Sequence, residues 1–412
     1  MGSIILLTKT RPLGGYMNRQ INFLLNNYKY EDGKDDGNKG ILIPRYIATG
    51  RTAPDGKVYG PVKTKNEDEK VLVRSIITKS ENFDIVTPDL LSTRLKKASF
   101  PEGSAIGVSL ASTFSESTTQ SILGLKHGGH ERILDASGNM YAQKDCELIE
   151  DGRWLVVKSG RKEERYPRPD NWVGMGKTQF KEGEIIGSSY HTTSPVYKLN
   201  AVIRLMNAKG SAGKKYYEKD QISISDCYAY EDGIIKYVED KKGGLKVMIG
   251  SREYAYSPES RYFFPDGAKV KKLQRFCTGV VDMRVASNEL GGDISSIFAI
   301  FRDQYYSLTS KSFQKDHTVS PGDMQEEIVE LVFAGLTKII PDVEKGKIAS
   351  VEYQGTQTAV LDRNSFFTTL SYGWSGRVVK KAVSGDLALS NDIMTNTILG
   401  LLLHDKLDKT RK

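Results

Sequence analysis

The sequence has 412 residues, of which 39% are hydrophobic and 27% are charged, a composition typical of folded globular proteins rather than of disordered or collagen-like chains. Its 59 Lys and Arg residues against 51 Asp and Glu residues give a formal net charge of +8, which favours contact with polyanions. No apolar run approaches the roughly 18 residues of a membrane-spanning helix, and the three cysteines form no Cys-x-x-Cys pair, so we expect a reducing, intracellular setting.

The first part of the chain predicts a mixture of helices and strands. Apolar residues at helical spacing indicate an amphipathic helix over 16–28, and the Gly- and Asp-rich residues 31–40 indicate a loop. Short β-branched runs separated by turns indicate strands between 41 and 95. Small residues from 105 to about 126 predict a long helix.

The middle of the chain, about 130–279, is β-rich and contains a weak internal repeat. The pattern Cys-x3-Glu-Asp-Gly at 146–152 recurs at 227–233, an offset of 81 residues (146 to 227). A turn and strand at 181–186 have a similar counterpart at 265–270. Two copies predict two similar small β units.

Helices return towards the end of the sequence. Helical spacing covers 294–308 and 324–336, and Ser320-Pro321-Gly322-Asp323 has the composition of an N-cap for the second of these. We also expect helices over 366–383 and 392–403.

Two short motifs are incomplete as sites. NWVGMGKT at 171–178 ends like a phosphate-binding loop, but Asn171 replaces its first glycine and a strand is expected to follow, so we interpret it as a β-turn. His127-Gly128-Gly129-His130 could suggest a metal pair, but no acid or cysteine cluster completes it. The sequence alone therefore gives no complete active site.

Separated segments together resemble a known family. In chain order they are TKT with GYMNRQ at 8–20, VLVRSII at 71–77, GSAIGV through HGG at 103–129, and the segments at 291–336 and 365–403. They are similar to the C-terminal half of β′, the largest catalytic subunit of multisubunit DNA-dependent RNA polymerases. The family's metal-binding Asp-x-Asp-Gly-Asp motif lies upstream of these segments, and its absence here suggests the split β′ found in giant bacteriophages. A truncated chain would explain the absence too, although a sequence that begins with Met reads as complete.

The resemblance implies roles for individual residues. The segment at 8–20 is similar to the downstream end of the bridge helix, which places template-DNA contacts on Lys9 and Arg19.

The segment at 103–129 is similar to the first trigger-loop helix, in which His127 takes the place of the histidine that lies over the phosphates of the incoming nucleotide. Three further positions follow from the same match: Gln120 aligns with the family's glutamine, Leu123 with the apolar residue that packs on the base, and Lys126 is the nearest substitute for an arginine that is Gly124 here.

The later segments carry further implied contacts. SYGWSGR at 371–377 falls where the family has a switch element, which implies DNA contacts for Arg377 and Lys380. The strand at 71–77 leads into the family's second zinc site, but residues 78–91 contain no cysteine, so no zinc is expected in this chain and ordinary packing should hold that region. Mg²⁺ is expected to be held by another subunit. The plainer alternatives are a solvated helix face for Arg19 and Arg377 and a surface helix with a capping histidine for His127.

The patterns predict a multidomain α+β chain with a β-rich middle of two small barrel-sandwich-like units, and the resemblance implies that the surrounding helical elements are the bridge, trigger and C-terminal elements. The predicted segments are the bridge-helix end (1–30), a β-rich connector (31–100), the first trigger-loop helix (101–130), a β insertion (131–190), a returning helix (191–215), a second β unit (216–285) and a C-terminal helical switch and clamp region (286–412).

The expected function is transcription in the host cell cytoplasm, with packaging in the virion as an alternative. The expected partners are the N-terminal β′ fragment, β-subunit fragments, template DNA, the RNA product and nucleoside triphosphates, with or without a promoter-specificity subunit. No contact with a membrane is expected. A non-catalytic, β-rich phage structural protein is the alternative, and a standalone nucleic-acid-binding module ranks third because the basic residues are dispersed.

Overall fold

The protein is described from a computed structural model. The structure describes residues 21–22, 25, 28–64, 66, 68–78, 85–96, 100–113, 139–189, 226–239, 244–281, 283–309, 326–342 and 347–353. In these ranges the fold is mixed α+β, with helices and several small sheets, which confirms the predicted class. None of the helices in the described ranges is both long enough and apolar enough to span a bilayer.

The elements are labelled in chain order. The strands are β1 (Lys29–Tyr30), β2 (Ile41–Pro44), β3 (Lys70–Val73), β4 (Ile85–Val86), β5 (Asn139–Tyr141), β6 (Cys146–Asp151), β7 (Trp154–Ser159), β8 (Lys162–Pro167), β9 (Trp172–Gly174), β10 (Gln179–Phe180), β11 (Ile185–Ser189), β12 (Gly233–Glu239), β13 (Leu245–Ile249), β14 (Arg252–Tyr254), β15 (Lys269–Val270), β16 (Thr337–Asp342) and β17 (Lys347–Tyr353). The α-helices are α1 (Thr93–Lys96), α2 (106–113), α3 (Met283–Glu289), α4 (Ile294–Thr309) and α5 (Glu326–Leu336), and residues 21, 22 and 25 are also helical.

Two short strand pairs frame the N-terminal part of the fold. β2 and β3 are antiparallel, with Ile41 opposite Val73, whereas β1 and β4 are parallel. Side chains alternate along a strand, so Ile41 and Ile43 enter the core while Leu42 between them is 46% exposed. The strand expected at 71–77 ends early because the Ser75 hydroxyl accepts the Ile77 N–H and starts a 3-10 turn.

Residues 139–189, the first β unit, form two small sheets around one core. The four-stranded sheet has the order β10-β6-β7-β8, and the three-stranded sheet has the order β5-β11-β9. Gly152 and Gly160 make the hairpin turns after β6 and β7 with φ of 56° and 61°, a conformation that favours glycine. The strand β10 follows the GMGKT residues, as expected for a turn and not for a phosphate-binding loop, which a helix would follow.

Residues 226–281, the second β unit, repeat this arrangement. The four-stranded sheet has the equivalent order β15-β12-β13-β14. Phe180 of β10 is opposite Cys146 of β6 in the first unit, and Val270 of β15 is opposite Gly233 of β12 in the second. In place of the three-stranded sheet of the first unit, the second unit has isolated β-bridges, which pair Tyr228 with Arg275 and Tyr262 with Cys277.

The register of this repeat differs from the one expected from the sequence. The equivalent strands β6 and β12 begin at Cys146 and Gly233, an offset of 87 residues (146 to 233) instead of 81, so Cys227 is not the counterpart of Cys146. The offset of 81 residues was wrong because acidic residues followed by glycine favour tight turns in general. Their presence does not show which strands a turn connects.

The turn after β10 also has a different counterpart in the second unit from the one expected from the sequence. Its counterpart is the turn at 271–274, not the one at 265–268. Gly183 has φ of 81° and donates to the Ala142 carbonyl at 2.8 Å, and Leu273 has φ of 67° and donates to the Ala229 carbonyl at 2.7 Å. A leucine in this conformation is unusual, which is why the sequence did not reveal the pair.

The C-terminal helices pack through aromatic rings. Phe298 and Phe301 of α4 lie 5.5 and 5.2 Å from Phe333 of α5, measured between ring centroids. The helices expected at 294–308 and 324–336 are both present, although the second begins at Glu326 among the described residues.

A β-hairpin follows α5 within the region predicted to be helical. β16 and β17 pair antiparallel, with Thr337 opposite Tyr353 and Ile339 opposite Val351, and such β-branched and aromatic residues favour strands. The helices predicted over 366–383 and 392–403 and the N-cap cluster at 320–323 lie outside the described residues.

One apolar core joins the N-terminal part, the second β unit and the C-terminal helices, whereas the first β unit has its own core. Trp154 and Val156 of the first unit belong to the larger core. The Trp154 ring lies 6.3 Å from the Tyr237 ring in an edge-to-face arrangement, so the two β units pack against each other.

Candidate functional site

The site residues predicted from the sequence all lie outside the described part of the chain. They are Lys9, Arg19, Gln120, Leu123, Lys126, His127, Arg377 and Lys380. The structure does describe the place where one predicted helix ends and another begins, namely the end of the 16–28 helix and the first half of the 105–126 helix. We call the described residues of 21–30 and 103–113 the junction, and they form the candidate site.

Backbone hydrogen bonds tie the two segments of the junction together. The Tyr30 N–H donates to the Ser104 carbonyl at 3.0 Å, and the Gly103 N–H donates to the Tyr30 carbonyl at 2.7 Å. The Gly107 N–H donates to the Tyr28 carbonyl at 3.2 Å. These bonds pair backbone groups that the ends of helices leave unsatisfied, and they fix the start of α2 against the preceding helix.

Gly107 permits the closest approach of the two backbones. A Cβ atom at position 107 would overlap the Leu25 carbonyl oxygen and would lie 2.9 Å from both the Leu25 carbonyl carbon and the Tyr28 Cβ. Only glycine fits here without displacing one helix from the other. The apolar side chains around this contact are all buried, namely Ile21, Leu25, Tyr28, Ile106 and Leu110.

The helix α2 depends on this packing more than on its own propensity. Its exposed face carries Ser112 and Thr113, whose hydroxyls donate to the carbonyls of Val108 and Ser109 at 3.1 and 3.2 Å. Serine and threonine that bond back in this way weaken a helix slightly. The first turn of α2 is therefore held by packing, whereas its last described turn, with Ser112 and Thr113, has low intrinsic stability.

A tyrosine of the junction is neutral at physiological pH. The Tyr30 ring lies 5.9 Å from the Phe100 ring, measured between centroids. Burial raises the pKa of Tyr30, and the negative charge of Asp32 raises it further. Tyr30 therefore contributes packing and a neutral hydroxyl.

A buried polar cluster, the Arg51 cluster, fixes α5 to the N-terminal part. Arg51 donates to both carboxylate oxygens of Glu330, at 2.7 and 3.1 Å, and the Ser75 hydroxyl donates to Glu330 at 2.6 Å. The Ser92 N–H donates to Glu327 at 2.5 Å. Burial lowers the pKa of Arg51, but the charges of Glu330 and Glu327 outweigh burial and raise it, so Arg51 stays charged.

Glu326, next to this cluster, is buried without such pairing. Neither of its carboxylate oxygens has a hydrogen-bond partner among the described residues. Burial raises the pKa of Glu326 to about 7, Arg302 opposes the shift, and the neighbouring Glu330 adds to it. Glu326 therefore titrates near neutral pH.

Buried polar groups also hold the connector in which no zinc is expected. Arg74 pairs with Asp89 and, at 3.1 Å, with Asp36. Asp89 accepts further bonds from the Thr87 hydroxyl at 2.6 Å and the Asp35 N–H at 2.9 Å. Burial acts to raise the pKa of Asp89, but these bonds outweigh it and lower the pKa. A polar network therefore contributes to the packing of this region.

No group of three or more His, Cys, Asp or Glu side chains in the described ranges could hold a metal ion. The sequence matches no family model and none of the curated proteins with which it was compared.

Sequence reasoning missed the Arg51 cluster and the importance of Gly107. Arg51 and Glu330 are 279 residues apart, and no local pattern connects them. Gly107 belongs to the GSAIGV segment, so a small residue was visible there, but the close contact with Leu25 depends on how the helices meet.

Proposed function

We propose that this chain is the C-terminal part of a split β′ subunit of a multisubunit DNA-dependent RNA polymerase of the giant-bacteriophage type. It contributes the bridge-helix end, the trigger loop and DNA-clamping elements to nucleotidyl transfer in the host cytoplasm. The observation that carries the proposal is the junction. The helical residues that follow the segment resembling the bridge helix meet the start of the segment resembling the first trigger-loop helix, at Leu25 and Gly107.

The junction suits a loop that closes over a substrate. Such a loop needs a fixed base and a distal part of low stability, and α2 has both properties. In the closed state His127 lies over the triphosphate, where it donates a proton to the leaving pyrophosphate or holds positive charge beside it, and Leu123 packs on the base. Mg²⁺ held by another polypeptide supplies charge neutralisation, because the Asp-x-Asp-Gly-Asp motif is absent from this sequence.

The two β units are, in this proposal, barrel-sandwich-like modules, and the first is an insertion in the trigger loop. Asn139 pairs with Ser188 across β5 and β11, so the chain enters and leaves the first unit at neighbouring strands. A domain whose ends are adjacent can be inserted in a loop without separating the two sides of that loop. This arrangement supports an insertion between 131 and 190.

The His127→Ala variant tests the catalytic role. In the enzyme reconstituted with the companion polypeptides, we expect single-nucleotide addition to slow on the order of 100-fold, since positioned proton donors contribute about that much. The matched control is His130→Ala, which removes a histidine from the same short motif and should leave the rate unchanged. Equal rates for the two variants would contradict the role of His127.

Co-purification tests the assembly itself. Tagged chain expressed during infection should bring with it the polypeptide that carries Asp-x-Asp-Gly-Asp, in equal amount. A chain that assembles only with itself would instead indicate the non-catalytic structural protein, and tight DNA binding by the isolated chain would indicate a standalone nucleic-acid-binding module.

A further inference from the structure

One face of the second β unit is open, apolar and basic. Ile234 and Val238 of β12 are 45% and 46% exposed, and Lys236 lies between them on the same side of the strand. We call the outer face the following six residues, which cross-strand pairing places together: Ile234, Lys236, Val238, Lys246, Met248 and Lys269.

The equivalent face of the first β unit is an interface. The shared strand order and pairing place Trp154 and Val156 of β7 at the positions of Lys246 and Met248 of β13. Trp154 and Val156 are buried in the core that contains the second unit, where Trp154 contacts Tyr237. The outer face of the four-stranded sheet is therefore covered in the first β unit and open in the second.

The charge of the outer face indicates what covers it. Lys246 pairs with Glu253 at 2.7 Å, whereas Lys236 and Lys269 form no ion pair with any residue of the described ranges. A second copy of this face would bring lysines against lysines, which is unfavourable. Single-stranded nucleic acid prefers aromatic platforms, and the exposed apolar residues here are aliphatic.

We propose that the outer face binds a companion polypeptide of the same assembly through an aliphatic surface bordered by carboxylates. The aliphatic side chains supply the buried centre of the contact, and the lysines supply its charged rim. This inference rests on the proposed function, because it takes the chain to be one polypeptide of a larger enzyme.

Site-specific alkylation measures whether the face is covered. The native cysteines are all buried, so Val238→Cys introduces an accessible thiol on the outer face. We expect maleimide to modify this thiol at least tenfold more slowly in the purified complex than in the free chain. The matched control is Glu182→Cys in an exposed turn of the first unit, whose rate should not change.

Charge reversal tests the chemistry of the partner. The Lys236→Glu/Lys269→Glu variant should bind the companion polypeptides about tenfold more weakly, whereas Lys144→Glu/Lys181→Glu, at exposed positions of the first unit, should bind normally. Unchanged binding by the outer-face variant would overturn the proposal that the partner's surface is bordered by carboxylates.

The alkylation results separate this inference from the proposed function. Equal alkylation of Val238→Cys in the free chain and the complex overturns this inference alone. Protection that grows with the concentration of the isolated chain identifies a second copy instead and also overturns it. Failure to form any complex overturns the inference together with the proposed function.

Discussion

Glu326 shows how one buried group makes stability depend on pH. The unfolded carboxyl loses its proton near pH 4.5 and the folded one near pH 7, so between these values the folded state keeps a proton that the unfolded state has released. Stability therefore falls as pH rises from 4.5 to 7 and is constant above that window. The total effect of this group is on the order of 3 kcal/mol.

The Glu326→Gln variant should remove this dependence, because a neutral amide does not titrate. Thermal unfolding at pH 5 and pH 8 measures the effect, and the variant should gain stability relative to the native chain mainly at pH 8. The control is Glu163→Gln, at a side chain that is 60% exposed. It should leave the melting temperature unchanged at both pH values. An unchanged pH profile in Glu326→Gln would assign the dependence to other groups.

At the scale of elements, the junction makes a prediction that opposes helix propensity. Gly107→Ala should favour an isolated helix by about 1 kcal/mol. In the folded chain it should destabilise instead, by several kcal/mol, because the new Cβ meets backbone atoms of Leu25 that cannot move aside cheaply. Ser109→Ala on the exposed face of the same helix should be neutral or slightly stabilising. Chemical denaturation distinguishes the two variants, and a Gly107→Ala variant as stable as the native chain would contradict the close contact.

At the scale of the whole molecule, the first β unit should be separable. It has its own core, and its ends pair across β5 and β11. Replacing residues 139–189 with a short Gly-Ser linker should leave the remaining chain folded, although the loss of the Trp154 contact with Tyr237 should lower the melting temperature. Aggregation of the shortened chain, measured by size-exclusion chromatography, would show that the unit is integral to the fold.

The sequence by itself determined the elements whose signal is local. The α+β class, the helices α4 and α5, and two similar β units follow from hydrophobic periodicity and turn composition. The implied site residues, from Lys9 to Lys380, also come from the sequence and remain predictions.

Only the tertiary structure decided the rest. It set the register of the two β units, because acidic residues and glycine mark a turn but do not say which strands the turn joins. It also decided the ion pair of Arg51 with Glu330, and the contact of Gly107 with Leu25. Burial and close approach between distant segments are properties of the folded chain, and no local pattern of residues encodes them.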